Sequence, residues 1–165
     1  MQQNSQTKVE LKKLNRFIRT LSLVKVPLLG ICSPKVLEMS EKTARVQLPF
    51  RFLTKNHLGS MYFGALAMGA ELSIALRLLH RMQRDKIPVS FIFKDFACEF
   101  LKRAESDVHF ITEQVRAVDA LIDKAMESND RQNGTFEGYA VSAKSGEKLM
   151  TYKLTISIKR FERKA

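Results

Sequence analysis

The sequence predicts an α+β fold in which an antiparallel sheet curves around one long central helix. Residues 61–79 are apolar on every side of a helical wheel and carry only two charges, Glu71 and Arg77. A helix with that pattern is buried all round, so it needs a sheet wrapped about it. Four segments after this helix have the composition of strands. Short connections between consecutive strands favour antiparallel pairing.

Two elements are predicted before the central helix. Residues about 7–23 form an amphipathic helix, because leucine and isoleucine recur at helical spacing among basic residues. We expect this helix to pack at the edge of the domain, and a membrane-surface helix is the alternative. Pro27 breaks the helix, since proline lacks an N–H donor and restricts the residue before it. Residues 43–48 alternate apolar and polar side chains, as a half-buried strand does.

The central helix is expected over 61–81, and five elements follow it. They are strands over 89–101 and 107–118, a short helix over 120–128, and strands over 135–143 and 147–159. The strand segments are rich in aromatic and β-branched residues or alternate in polarity. Asp119 is suited to cap the short helix, and Ser145 with Gly146 places a turn between the last two strands.

Length and charge limit the possible classes of protein. We expect one domain over residues 1–165, with its core at about 35–160, because 165 residues suffice to bury a core. The 28 basic residues against 17 acidic ones give a net charge of +11. Such a charge favours anionic partners, including nucleic acid, anionic lipid and coenzyme A. No motif interleaves basic and aromatic residues, so we expect no nucleic-acid partner.

The cysteines and histidines give no sign of a metal site or a disulfide framework. Cys32 and Cys98 are far apart and form no CxxC motif, and the three histidines are widely spaced. The first residues lack the charged segment and apolar core of a secretory signal. Glu71 would cost about 2.5 kcal/mol or more at the centre of a bilayer. We therefore expect a cytoplasmic protein without a metal and without a transmembrane segment.

A polar loop and the central helix form the candidate site. Glu71 lies about two turns inside an otherwise apolar helix. Burial raises a carboxyl pKa toward values that are useful for proton transfer. Residues 56–60 precede the helix start, where unpaired backbone N–H groups carry partial positive charge. The structural alternatives are a buried ion pair for Glu71 and a turn-capping role for Asn56.

The loop, the small-residue helix and its lone acid together resemble a hotdog-fold protein. The resemblance is to the PaaI-like acyl-coenzyme A thioesterase group, and within it to an uncharacterised thioesterase-like subgroup. Those enzymes carry an Asn, a His-Gly-Gly at the helix start and an acid inside the helix. The residues at these positions here are Asn56, Tyr62, Phe63, Gly64 and Glu71. Tyr62 and Phe63 depart from the pattern, because they replace the His and the first Gly.

The resemblance implies hydrolysis of a thioester of coenzyme A or acyl carrier protein, with no cofactor beyond the coenzyme A of the substrate. It implies that the Gly64 amide polarises the carbonyl and that Asn56 adds a donor or holds the water. Glu71 then acts as general base or as nucleophile. The expected substrate contacts are Tyr62, Phe63, Ser90, Lys102 and Arg103, the last two beside the coenzyme A phosphates.

The resemblance also implies an assembly, since the related enzymes build this site between two subunits. We therefore expect a homodimer or a dimer of dimers. A non-catalytic hotdog module, which binds an acyl chain or serves as an assembly partner, is the alternative function. The replacement at Tyr62 and Phe63 favours the module, whereas the lone acid Glu71 favours the enzyme.

Overall fold

The computed structural model of the protein describes residues 2–161, and their side chains from residue 9 onward. The helices are α1 (Gln2–Val24), α2 (Pro27–Cys32), α3 (Phe63–Arg84) and α4 (Val115–Met126), with a 3-10 turn at Phe52–Thr54. The strands are β1 (Lys35–Met39), β2 (Ala44–Leu48), β3 (Val89–Phe100), β4 (Val108–Thr112), β5 (Gln132–Ser142) and β6 (Lys148–Arg160).

The strands form one six-stranded antiparallel sheet in the order β1-β2-β4-β5-β6-β3. Strand β6 pairs along most of its length with both β5 and β3. The two edges differ in length, because β1 has 5 residues and β3 has 12. An edge strand presents unpaired backbone N–H and C=O groups. The described part of the sheet therefore has one short edge and one long edge.

Helix α3 lies between the sheet and α1, as the predicted wrapped-helix fold requires. Ile74 and Leu78 of α3 belong to the buried cluster that includes Phe110 of β4. Leu76, on another side of α3, packs in a second buried cluster with Ile18 of α1. The apolar residues of α3 therefore fill the centre of the molecule, and the predicted α+β class with a central helix is confirmed.

The first half of α3 has one exposed face in the single chain, whereas the sequence predicts burial on all sides in the assembled protein. Phe63, Ala67 and Glu71 follow one another at intervals of four residues and share one face. Phe63 is 60% exposed, Ala67 is half-buried and Glu71 is exposed. Ile74 and Leu78 continue this face and are fully buried. Glu71 therefore lies at the inner end of an exposed stripe, which we define as Phe63, Ala67 and Glu71.

Two ion pairs fasten the second half of α3 to α4. The Arg77 Nη2 lies 2.7 Å from Asp119 Oδ2, and the Arg81 Nη1 lies 2.7 Å from Asp123 Oδ1. By length and composition α3 could cross a membrane, yet 61% of its most apolar 18-residue window is buried inside the protein. The core helix of a globular protein has the same properties.

The strand predicted over 107–118 is wrong in its second half. Strand β4 ends at Thr112, and α4 begins at Val115 rather than at the predicted position 120. Val115, Val118 and Ile122 are buried at helical spacing. Packing of this apolar face has overridden the strand preference of its β-branched residues.

Three short elements were not predicted from the sequence: β1, α2 and the 3-10 turn at Phe52–Thr54. Strand β1 pairs with β2 through an irregular register, and only Val36 of its five residues is fully buried. Pro27 follows the end of α1, but it also occupies the first turn of α2. Proline is favoured at the start of a helix because its missing N–H would have no partner there.

Close packing of α3 on the sheet depends on Gly69. A Cβ atom at this position would lie 2.3 Å from Phe110 Cε2, and Phe110 is fully buried. We expect Gly69→Ala to lower the free energy of unfolding by about 1–3 kcal/mol, measured by urea denaturation. The control is Gly64→Ala, whose Cβ would lie closest to the half-exposed ring of Tyr62. Equal stability of the two variants would contradict this prediction.

Candidate functional site

The loop before α3 is organised by the side chain of Asn56. Its Oδ1 accepts hydrogen bonds from the N–H groups of Leu58 at 3.0 Å and Ser60 at 3.1 Å. Its Nδ2 donates to Ser60 Oγ at 3.0 Å. Gly59 has a φ of +76°, which L side chains rarely adopt. Asn56 therefore holds the turn, as the structural alternative proposed, and its Nδ2 retains a second hydrogen.

We expect Asn56→Ala to lower the free energy of unfolding by about 1–2 kcal/mol, because two loop N–H groups lose their acceptor. The matched variant Asn56→Asp retains an oxygen at the Oδ1 position and should be destabilised less. Thermal denaturation compares the two variants with the parent. An Ala variant as stable as the parent would show that the loop does not depend on this side chain.

Backbone donors are available where α3 begins. The first intrahelical hydrogen bond runs from Leu66 N to Tyr62 O at 3.1 Å. The N–H groups of Phe63, Gly64 and Ala65 therefore have no acceptor within the helix. The Tyr62 side chain makes no capping hydrogen bond to them. The Gly64 amide is thus a donor at the positive end of the helix dipole.

A groove of about 600 Å³ opens beside the loop and the start of α3. The predicted site residues that line it are Asn56, Tyr62, Phe63, Lys102 and Arg103. Leu66 and Phe100 contribute to its apolar wall. Lys102 forms an ion pair with Glu147, whereas Arg103 has no carboxylate partner within residues 9–161. A groove lined by apolar side chains and two cations is suited to an amphiphilic anion.

Glu71 lies outside this groove, farther along the exposed stripe. Within residues 9–161 its carboxylate makes no hydrogen bond and no ion pair, and Arg77 is already engaged by Asp119. The ion-pair alternative therefore has no partner in the part of the chain described. Desolvation by surrounding protein atoms raises the pKa of the Glu71 carboxyl, although the side chain still contacts solvent.

Gly64 and Glu71 lie on the same side of α3. They are seven residues apart in α3, which is about 10 Å along the helix axis. An oxyanion donor must lie about 3 Å from the reacting oxygen. A general base must also reach its proton directly or through one water. A carbonyl and its attacking water would have to fill the space between the Gly64 amide and the Glu71 carboxylate.

The single chain does not bring Ser90 to the other predicted residues. Val89, Phe91 and Phe93 pack toward the core, so the alternation of β3 turns Ser90 to the opposite face. The Ser90 hydroxyl lies 3.4 Å from the carbonyl oxygen of Lys159 on β6. Its position in the single chain is that of an ordinary strand residue.

Two groups of site residues were missed from the sequence. Phe100 and Leu101 line the groove at the end of β3, and their signal was the apolar end of the strand predicted over 89–101. Ser60, the partner of Asn56, is 7% exposed, and only its spacing from Asn56 pointed to the contact. Within residues 2–161, no group of three His, Cys, Asp or Glu residues converges in the manner of a metal site.

Comparison with known proteins identifies the family and the fold. Residues 15–158 match the family described as a domain of unknown function, DUF4442. No curated protein matches the chain. A Pseudomonas aeruginosa protein of unknown function, described as a probable thioesterase, has a TM-score of 0.71 at 20% identity, covering 88% of this chain and 95% of its own. Zebrafish thioesterase superfamily member 2 has a TM-score of 0.65 at 10% identity, covering 89% and 96%.

A thioesterase from Haemophilus influenzae has a TM-score of 0.65 at 14% identity, with 94% of each chain covered. Identities this low establish the fold alone. The neighbours are hotdog proteins of the thioesterase superfamily, and the sequence-based resemblance to that fold is confirmed. The chain belongs to the DUF4442 family, a hotdog-like family of unknown function.

Proposed function

We propose that the protein is a PaaI-like cytoplasmic thioesterase that hydrolyses an acyl thioester of coenzyme A or acyl carrier protein. The observation that supports this proposal most is that the Glu71 carboxylate is unpaired in the described part of the chain and partly desolvated. Its carboxylate has no partner within residues 9–161 and lies where an exposed helix stripe meets the core. Desolvation raises its pKa. A carboxylate in this state is suited to accept a proton from water.

In the proposed reaction, Glu71 accepts a proton as water attacks the thioester carbonyl. The carbonyl π electrons move to oxygen, and the Gly64 N–H donates to the resulting oxyanion. Collapse of the intermediate re-forms the carbonyl and breaks the C–S bond, and the proton held by Glu71 passes to the departing thiolate. Direct attack by Glu71, with a transient anhydride, is the alternative route. Positioned acid–base catalysis contributes about 10²–10⁴-fold.

We also propose that two subunits build the site together, as they do in the enzymes that the chain resembles. The long edge strand β3 is suited to the contact, because it offers 12 residues for pairing. Ile92 and Phe96 on this strand are 54% and 41% exposed. In the proposed homodimer, or dimer of dimers, Gly64 of one subunit acts with Glu71 of the other. The partner also covers the exposed stripe of α3.

The groove lining, which combines apolar side chains with two cations, supports a substrate that has an apolar part and an anionic part. Tyr62 and Phe63, whose ring centroids are 4.8 Å apart, contact the acyl part in this proposal. Arg103 and Lys102 bind the coenzyme A phosphates, because guanidinium and ammonium groups donate charge-assisted hydrogen bonds to phosphate oxygens.

Thiol release from a series of acyl-coenzyme A and acyl carrier protein thioesters of increasing chain length tests the proposal. We expect hydrolysis of at least one member of the series by the parent and loss of hydrolysis in Glu71→Ala. The absence of hydrolysis for every chain length and both carriers would overturn the thioesterase proposal.

The second candidate is a non-catalytic module that binds an acyl thioester. Tyr62 and Phe63 at the helix start favour it, because Phe63 lacks the conformational freedom that glycine has at this position in the related enzymes. Equilibrium binding of acyl-coenzyme A without thiol release, by the parent and by Glu71→Ala alike, would support the module in place of the enzyme.

A further inference from the structure

A second surface lies where the end of α1, α2 and the 3-10 turn meet. We call it the apolar corner and define it as residues 23–28, Ile31, Phe52 and Leu53. All six residues of 23–28 are exposed, and all but the lysine at 25 are apolar. Phe52 is 89% exposed and Leu53 is 61% exposed. The proposed reaction uses none of these side chains.

Specific contacts join the three segments into one surface. The Arg51 Nη2, just before the 3-10 turn, donates to the carbonyl oxygen of Ile31 in α2 at 2.8 Å. Gly30 packs against the end of α1 so closely that an added Cβ would lie 3.2 Å from the Ser22 carbonyl oxygen. Leu28 and Ile31, three residues apart on one side of α2, both face outward. The outer face of α2 is therefore apolar.

The apolar corner lies in a part of the chain without carboxylates. No Asp or Glu occurs between Glu10 and Glu38, and none occurs between Glu41 and Glu71. Lys25 lies within the corner and is exposed. Exposed apolar side chains together with cations and no anions are typical of proteins that bind anionic membrane surfaces.

A groove of about 610 Å³ opens beside the corner, between α1 and the segment that follows it. Arg16 and Arg19 line it, and neither has a carboxylate partner within residues 9–161. The Ser22 hydroxyl also lines the groove, is buried, and has no hydrogen-bond partner in the same part of the chain. Leu23 belongs both to the groove and to the corner. Guanidinium groups match the geometry of phosphate oxygens.

We propose that the apolar corner docks on the surface of an anionic phospholipid membrane. Its apolar side chains enter the boundary between headgroups and acyl chains, while Arg16 and Arg19 face the lipid phosphates. Charge complementarity between these cations and the lipid phosphates favours an anionic membrane as the binding partner. A second copy meeting the corner through a twofold axis would bring Lys25 of each copy toward the same cationic surface. The inference is independent of the proposed thioesterase reaction.

Vesicle flotation of the full chain tests the proposal. One vesicle type is phosphatidylcholine alone, and the other contains about one third phosphatidylserine. We expect the parent to float with the anionic vesicles, to bind the neutral ones much less, and to dissociate as salt is raised. The triple variant Leu28→Ser, Ile31→Ser, Phe52→Ser should bind at least about tenfold less, because exposed apolar area is lost.

The matched control is Phe161→Ser, which removes another half-exposed aromatic side chain. The Phe161 N–H donates to Pro88 O at 3.0 Å, beyond the C-terminal end of α3, and Phe161 is not part of the corner. This control should float as the parent does. Arg16→Gln with Arg19→Gln should reduce the preference for anionic vesicles and leave the melting temperature unchanged, since both side chains are exposed.

Parent protein that does not float with anionic vesicles would overturn the proposal, as would a triple variant that floats as well as the parent. The corner would instead be a protein contact if the parent does not bind vesicles and the triple variant has a lower mass than the parent by light scattering. Hydrolysis of soluble acyl-coenzyme A should be equal in the parent and the triple variant. Failure of the thioesterase proposal therefore leaves the vesicle result unaffected.

Discussion

Replacement of Glu71 by glutamine is expected to lower the rate of acyl thioester hydrolysis at least about 100-fold. Glutamine retains the shape of glutamate, but its amide cannot accept a proton from the attacking water. The native mass and the circular dichroism spectrum should be those of the parent. Thiol release under substrate-saturating conditions, with both proteins at equal concentration, measures the change. Equal rates in the parent and in Glu71→Gln would show that Glu71 is structural.

The pH dependence of protein stability provides a second test of the role of Glu71. Because desolvation raises the pKa of Glu71 in the folded state, the unfolded state loses its proton first as pH rises. The stability of the parent therefore falls through the window between the ordinary glutamate pKa and the raised one. The glutamine variant lacks this contribution and should melt no lower than the parent at neutral pH.

The activity of the parent should change in the opposite direction, since a general base works in its ionised form. Hydrolysis should rise with pH through the raised Glu71 pKa and then level off. Any residual rate of Glu71→Gln should lack this rise. A glutamine variant that melts well below the parent at neutral pH would contradict the assignment of a desolvated, unpartnered carboxylate.

Lysine substitutions on the long sheet edge are expected to abolish both dimer formation and hydrolysis. Ile92 and Phe96 of β3 are exposed in the single chain, so Ile92→Lys with Phe96→Lys should preserve the core. Like charges brought together across a twofold axis would oppose edge pairing. Light scattering should give a mass near 18.9 kDa for the variant and about two or four times that mass for the parent, as a dimer or a dimer of dimers.

The control adds the same two charges elsewhere on the surface. Val9→Lys with Phe161→Lys replaces side chains that are 50% and 47% exposed and lie outside β3. This control should remain dimeric and active. A parent that is monomeric and active at micromolar concentration would contradict a site shared between subunits.

The long helix and the long final strand were predictable, because the spacing of their apolar residues matches the faces that are buried in the structure. The start of the central helix differs by two residues from the predicted position, and alternation along the final strand matches β6. The secondary-structure predictions failed where tertiary contacts, rather than local sequence, determine the secondary structure. Residues 113–118 have strand-like composition, yet the apolar face around Val115 and Val118 packs as a helix. Strand β1 has only one fully buried residue, so its alternation is weak.

The site was predictable in its chemistry and less so in its geometry. From the sequence, Asn56 and Arg103 were predicted to lie in one candidate site, and both line the same groove. The exposure of Glu71 was not predicted, because an apolar helix face has the same composition whether its own chain or a second subunit covers it. The orientation of Ser90 depends on which alternate residues of β3 face the core. The sequence of β3 does not determine this, because its aromatic and apolar residues do not alternate regularly with polar ones.

Subunit mixing tests most directly the central claim that Glu71 of one chain acts at the groove of the other. One variant is Glu71→Gln. The other is Lys102→Glu with Arg103→Glu, which should repel the substrate phosphates and lower hydrolysis at low substrate concentration. Heterodimers of the two retain one groove intact, opposite an intact Glu71. After unfolding and refolding together, we expect hydrolysis to recover to about a quarter of the parental rate, because about half of the dimers carry one working site of two. Heterodimers that form, by native mass spectrometry, without any recovery above the separate variants would contradict a site shared between two chains.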